Sequence, residues 1–139
     1  MVGIVSDPVD VLGVYGSVLD PECGGNVLFV GTTRENSRGR KVSALEYQAY
    51  VPMALKVMNS IAGEMRKRFG VRKVALVHRI GRLRVGDVSL VIAVSSEHRR
   101  EAFKACARAL ELIKTSVPIW KREYFETGSE WVGYKNNPS

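Results

Sequence analysis

Cysteine is scarce in this chain. Cys23 and Cys106 stand far apart, and neither is surrounded by a ligand motif. That argues against a disulfide framework or a cysteine-based zinc site, and points to reduced thiols in a cytoplasmic protein. Histidine is equally scarce, with only His78 and His98. A classical metal site would need Cys, Asp or Glu ligands at short spacing, and no such spacing is present. No apolar run approaches the roughly 20 residues a membrane helix needs. The opening stretch, Met1 to Asp7, lacks the charged region and long apolar core of a signal peptide. G-x-S-x-G, Walker A and G-x-G-x-x-G motifs are missing, as are repeats, linkers and low-complexity segments.

Positive charge and apolar residues are abundant. Twenty-one Lys and Arg against fourteen Asp and Glu give a net charge of +7, and 45% of residues are hydrophobic. The apolar content excludes a disordered chain. The 139 residues fit one domain, spanning 1–139, with a full core. The charge favours an anionic partner: a phosphorylated small molecule, an acidic protein or a nucleic acid. The aromatic-rich strand motifs of an RNA-binding sheet are missing, so no nucleic-acid partner is expected.

The chain reads as alternating punctuation and pattern. Asp7 before Pro8 predicts a short helix running to about Leu19. Cys23-Gly24-Gly25 is a turn, Asn26 to Thr33 a strand, Arg34 to Lys41 a mobile polar loop, and Val42 to Tyr50 a second strand. Pro52 opens a helix whose apolar positions run from Met53 and Ala54 to Met65 and Phe69, and Gly70 ends it. Lys73 to Ile80 is a strand. Val88, Leu90, Ile92 and Val94 share one face of the next. Ser95 or Ser96 caps a second long helix with the stripe Ala102, Phe103, Cys106, Ala109, Leu110 and Ile113. Ile119 to Phe125 and Glu130 to Tyr134 form two last strands. Helices and strands do not alternate strictly, so the expected class is α+β, with a mainly antiparallel sheet and two long helices.

Lys114 to Glu123 is the richest segment. Pro118 ends the helix, so Lys114 lies on its last turn and Lys121 on the following strand. Two amines on two ordered elements can bind an anion, and partial desolvation can bring one toward neutral-pH titration. Ser96-Glu97-His98-Arg99-Arg100 sets a histidine and arginines at a helix start, where free N–H groups and the helix dipole favour an anion. It also reads as a solvated basic helix start. Arg34 follows a strand end, a common place for a ligand contact, or simply begins a polar loop. Arg38, Arg40 and Lys41 read as loop charges. His78 reads as a hydrogen-bonded core residue, and Trp120 and Trp131 as packing the core or an interface.

Several of these pieces, in this order, resemble the large, catalytic subunit of molybdopterin synthase. They are Gly25 to Arg34; Leu45-Glu46-Tyr47 with Tyr50, Met53 and Ala54; and Val77 to Gly81 with Leu83, Gly86 and Asp87. They continue with Ser95 to Arg99, Ala102 and Phe103, then Lys114 with Pro118 to Glu123, Trp131 and Val132. Thr33 stands where the family often has valine.

The resemblance implies an α/β-hammerhead fold and a sulfur-inserting enzyme. Two sulfurs pass to a cyclic pyranopterin monophosphate, making the dithiolene of molybdopterin. Their donor is a thiocarboxylate on the C-terminal glycine of a small ubiquitin-like subunit. The family's large subunit dimerises within a heterotetramer. Arg34, His98 and Arg99 are then candidates to hold the substrate phosphate. Lys114 is the candidate general acid/base that orients the thiocarboxylate, and Lys121 would stabilise negative charge on the intermediate. No metal or redox cofactor is expected. A basic nucleic-acid-binding domain and a non-catalytic adaptor for a ubiquitin-like protein are the alternatives.

Overall fold

A computed structural model describes residues 1–132. The order is β1 (Val2–Val5), α1 (Val11–Val18), β2 (Gly25–Thr32), β3 (Asn36–Ser37), β4 (Arg40–Ala49), α2 (Val51–Phe69), β5 (Lys73–Arg79), β6 (Gly81–Arg84), β7 (Val88–Ser96), α3 (Arg99–Ser116), β8 (Ile119–Phe125) and β9 (Gly128–Val132). Two sheets form. The first has strand order β1-β5-β7-β2; the second has β3-β4-β8-β9, with β6 also on β4. Among the described residues only β1 and β5 pair in parallel, so the fold is α+β and predominantly antiparallel.

The first sheet is covered on both faces, which explains why β5 and β7 are almost continuously apolar. Val74, Leu76, Leu90, Ile92 and Val94 pack beneath α2 and α3. Ala75, Val77, Val91 and Ala93 pack against Val14 and Val18 of α1. Val88 departs from the expected alternation and joins the α1 side. The reason is a register shift: Gly31 pairs with Leu90 but Thr32 pairs with Val88, leaving Ser89 as an extra residue. A bulge of this kind re-aims side chains beside it.

The helix boundaries show which local signal wins. α1 starts later than Asp7-Pro8 predicts, because Asp10 accepts the Gly13 N–H at 3.0 Å and caps the helix there. β1 has no forecast in the reading of the sequence: four half-buried residues gain strand identity only by pairing with β5. α2 opens at Val51 with Pro52 in its first turn and ends at Gly70, whose φ of 68° is the left-handed cap conformation. Neither Ser95 nor Ser96 caps α3. Both stay in β7, where they pair with Asn26 and Gly25, and His98 takes the cap position instead.

On α3 the buried stripe is Ala102, Ala105, Cys106, Ala109 and Ile113. Phe103 lies outside it, 61% exposed, and Met53 of α2 is likewise exposed. Small residues on the stripe let α3 lie close to β2 and β7. The tightest approach is at Gly25, where an added Cβ would stand 2.7 Å from the Arg99 backbone. The start of β2 and the start of α3 are therefore in direct contact.

The segment 34–41 is structured. Asn36 and Ser37 pair with Lys41 and Arg40 across a two-residue turn at Arg38-Gly39. The last strand is β9, Gly128–Val132, and the forecast end at Tyr134 lies outside the described residues. Trp120 and Trp131 are not core residues: both are exposed, on the outer side of the second sheet.

Candidate active site

β8 carries the centre of the site. Its buried residues alternate: Ile119, Lys121, Glu123 and Phe125 face inward, while Trp120, Arg122 and Tyr124 face outward. Period-two geometry thus buries two charged side chains beside two apolar ones. Lys121 is 6% exposed and Glu123 is 2% exposed. Both line a cavity of about 380 Å³ at the junction of the two sheets. Lys114, on the last turn of α3, and Arg34, just past β2, line the same cavity.

Charges this close in a half-dry space perturb one another. Burial, with the Arg34 guanidinium nearby, holds the Lys114 amine below the ordinary lysine range. Burial also lowers Lys121. Glu123 opposes that effect, and Arg34, Lys114 and Arg38 add to it. The three cations named from the sequence therefore share one electrostatic site.

His98 and Arg99 do not join them within this chain. They sit at the start of α3, as forecast, but border a separate concavity with Gly24, Glu97, Arg100 and Phe103. The His98 side chain is 78% exposed, with Nε2 3.7 Å from Glu97.

The far wall holds groups that sequence reading did not select. Tyr47 lies opposite Lys121 in the β4–β8 register. Burial raises its pKa, while a hydrogen bond with Ser89 acts against that rise. Ser89, placed by the bulge, lines the cavity and donates to the Gly31 carbonyl at 3.3 Å. His78 is buried, as the alternation of β5 predicts, and meets Tyr47 edge-on with ring centroids 4.9 Å apart. Its Nδ1 lies 2.7 Å from the Arg79 carbonyl, so Nδ1 carries the proton and donates.

Arg38 and Arg40 are more than loop charges. Arg38 bonds Glu123 at 3.1 Å and Glu130 at 3.2 Å. Arg40 bonds Glu130 at 3.1 Å and stacks over the Phe125 ring. The inward alternation of β8 was the signal available for Glu123. Nothing local in the sequence marks Arg38.

Burial pushes the pKa of His78 down to about 4. The unfolded chain binds a proton near the ordinary 6.5, and the folded chain resists it. Stability is therefore full above pH 6.5 and falls as pH drops toward 4, by on the order of 3 kcal/mol. Urea titrations between pH 7.5 and 4 check this. His78→Phe, which keeps a ring but cannot titrate, should flatten that part of the curve, and an unchanged slope counts against the assignment.

Fold and cavity together define an α+β domain in which one cavity gathers two lysines and an arginine, a cationic setting of the kind an anion requires. Comparison with known proteins makes this specific. The family model described as MoaE protein matches residues 4–116. Molybdopterin synthase catalytic subunit 1 of Mycobacterium tuberculosis is 43% identical over 130 residues, covering 94% of this chain and 88% of that protein. The crystal structure of molybdopterin synthase from Staphylococcus aureus superposes with a TM-score of 0.90 at 41% identity, covering 94% of this chain and 95% of that one. A complex of subunits 1 and 2 of molybdopterin-converting factor from Helicobacter pylori shares the fold, with a TM-score of 0.79 at 19% identity and coverage of 99% and 93%. The chain belongs to the MoaE family, the catalytic subunits of molybdopterin synthase, and its activity lies in molybdenum cofactor biosynthesis.

Proposed function

We propose that the cavity between the sheets is where sulfur passes from a carrier-protein thiocarboxylate to cyclic pyranopterin monophosphate. The observation that carries this reading is the meeting of Lys114, Lys121 and Arg34 in one cavity from three separate elements. A negative thiocarboxylate needs a cation to orient it. Its sulfur bonds to a side-chain carbon of the pterin as the carbon–oxygen bond at that carbon breaks and the oxygen leaves with the bonding pair, and the carrier glycine is left joined to that sulfur through its carbonyl. Water then cleaves the acyl link, releasing the carrier with an ordinary carboxylate. A second loaded carrier supplies the second sulfur. Lys114 moves protons in these steps, and Lys121 stabilises the oxyanion that forms when water adds to the acyl carbonyl.

The partner in this reading is a small ubiquitin-like sulfur carrier, by analogy with the two-subunit complex of the H. pylori protein. The reaction is placed in the cytoplasm, which suits the unpaired thiols of Cys23 and Cys106. No helix among the described residues is long and apolar enough to cross a membrane.

His98 and Arg99 are assigned to the substrate phosphate through a second copy of the chain. Among the described residues β2 is an edge strand, paired with β7 on one side and with no strand on the other. Leu28 and Val30 are exposed on it. One end of β2 touches the start of α3, and its other end borders the cavity. Pairing two such edges antiparallel about a two-fold axis brings the α3 start of each copy toward the cavity of the other.

Two measurements test the reading. Mass spectrometry of the pterin should show sulfur gained only with the thiocarboxylated carrier; efficient conversion by free sulfide alone speaks against a carrier-fed site. Arg99→Ala should weaken substrate binding by about 1.5–3 kcal/mol, the usual worth of a charged hydrogen bond. Mixing Arg99→Ala with Lys114→Ala chains should restore activity, because one site of each mixed dimer is intact. No recovery on mixing rules out the shared site.

A further inference from the structure

The turn between β3 and β4 is built against backbone preference. Both central residues have positive φ, 49° at Arg38 and 77° at Gly39. Such two-residue hairpin turns strongly favour Asn, Asp or Gly at the first position. Arginine there is poorly suited to the backbone, so its side chain must supply the reason. That side chain leaves the exposed turn and reaches the carboxylate of Glu123, which is almost wholly buried.

Glu123 has a second possible partner. It sits two residues from Lys121 on the inward face of β8, so both side chains enter the same cavity. A carboxylate beside a buried amine draws it into an ion pair unless another cation occupies the carboxylate. The amine would then be neutralised by its own strand and lost to an incoming anion. Resting on the sulfur-transfer reading above, we propose that Arg38 is a positioning residue: by holding Glu123 at the cavity wall, it keeps that carboxylate from capturing the Lys121 amine.

The surroundings of Lys121 fit this role. Glu123 faces it from β8, Arg34 from the end of β2, Lys114 from α3 and Arg38 from the hairpin. Tyr47 lies opposite on β4, and His78 lines the cavity from β5. Glu123 is the only carboxylate among these groups, so the position of one side chain governs the balance. Arg38 also bonds Glu130, and Arg40 bonds Glu130 and approaches Thr127, so the turn is tied to the β8–β9 hairpin at several points.

The test reads the titration of Lys121 directly, by NMR of its side chain assigned against Lys121→Arg, and in parallel the pH profile of single-turnover sulfur transfer. In Arg38→Met, Glu123 turns to Lys121, and the lysine titration and the alkaline fall in rate should both move up by about one pH unit. Arg38→Lys should restore the wild-type profile. In a Glu123→Gln background, where no carboxylate is left unpaired, Arg38→Met should lose most of its effect. A Lys121 titration unmoved by Arg38→Met overturns the proposal. So does a shift of equal size in Arg38→Lys or in the Glu123→Gln background. The NMR titration needs no turnover, so failure of sulfur transfer itself is seen separately, as wild-type protein that titrates as described but makes no product.

Discussion

Replacing Lys114 with alanine is expected to lower single-turnover sulfur transfer by roughly 10²–10⁴-fold, the range for loss of a general acid/base. The residue sits at the C-terminal end of α3, where the helix dipole favours a charged amine. Burial and Arg34 act the other way and lower its pKa. An amine held between these influences can give up and take back a proton closer to neutrality than a solvent-exposed lysine can. Lys114→Arg separates charge from proton transfer, because a guanidinium stays protonated. If Lys114 moves protons, both variants should lose most turnover while still binding the carrier. Near-normal transfer by Lys114→Arg reduces Lys114 to an electrostatic guide and leaves proton movement to Lys121 or water.

The second large effect is expected at Lys121. Lys121→Met should lower kcat by about 10²–10³-fold, the usual result of removing one oxyanion-stabilising group. Substrate affinity should change much less, because the charge it opposes develops only during reaction. The fold should not suffer. A buried lysine whose pKa is depressed carries a penalty in its charged form, present below its folded pKa and relieved as pH rises past the unfolded value. Removing it at neutral pH therefore leaves thermal stability equal or higher, and Glu123 keeps Arg38 as its partner. A kcat close to wild type, with a raised KM, would recast Lys121 as a ground-state anion binder.

These two lysines were legible in the sequence because Pro118 separates them. A proline beyond the first turn cannot continue a helix, so Lys114 had to close one element and Lys121 had to lie on the next. Periodicity was equally direct for α2, whose apolar positions and Gly70 cap depend on neighbours within a turn or two. Where the sequence misled, a longer-range contact won. Ser95 and Ser96 have the chemistry of helix caps, yet pairing with β2 keeps them in a strand. Val88 follows an alternating pattern, yet a single extra residue at the bulge turns it to the other face. Phe103 is apolar at a nearly helical spacing, yet the close approach of α3 to β2 accepts small residues and leaves the ring outside.

By itself, then, the sequence determined the α+β class, the two long helices, the basic character and the two lysines, Lys114 and Lys121, that line the cavity. Each depends on local pattern, on charge, or on a resemblance carried by short motifs. Only the tertiary structure decided which charges meet. It joined Arg34 to the lysines, set His98 and Arg99 at a different surface, and turned Arg38 from a loop charge into the partner of a buried carboxylate. The physical reason is reach. Helix and strand propensities act over a few residues, whereas the Arg38–Glu123 contact joins positions separated by 85 residues of chain. Such a contact exists only once two hairpins have packed against each other, and nothing in either segment alone records it.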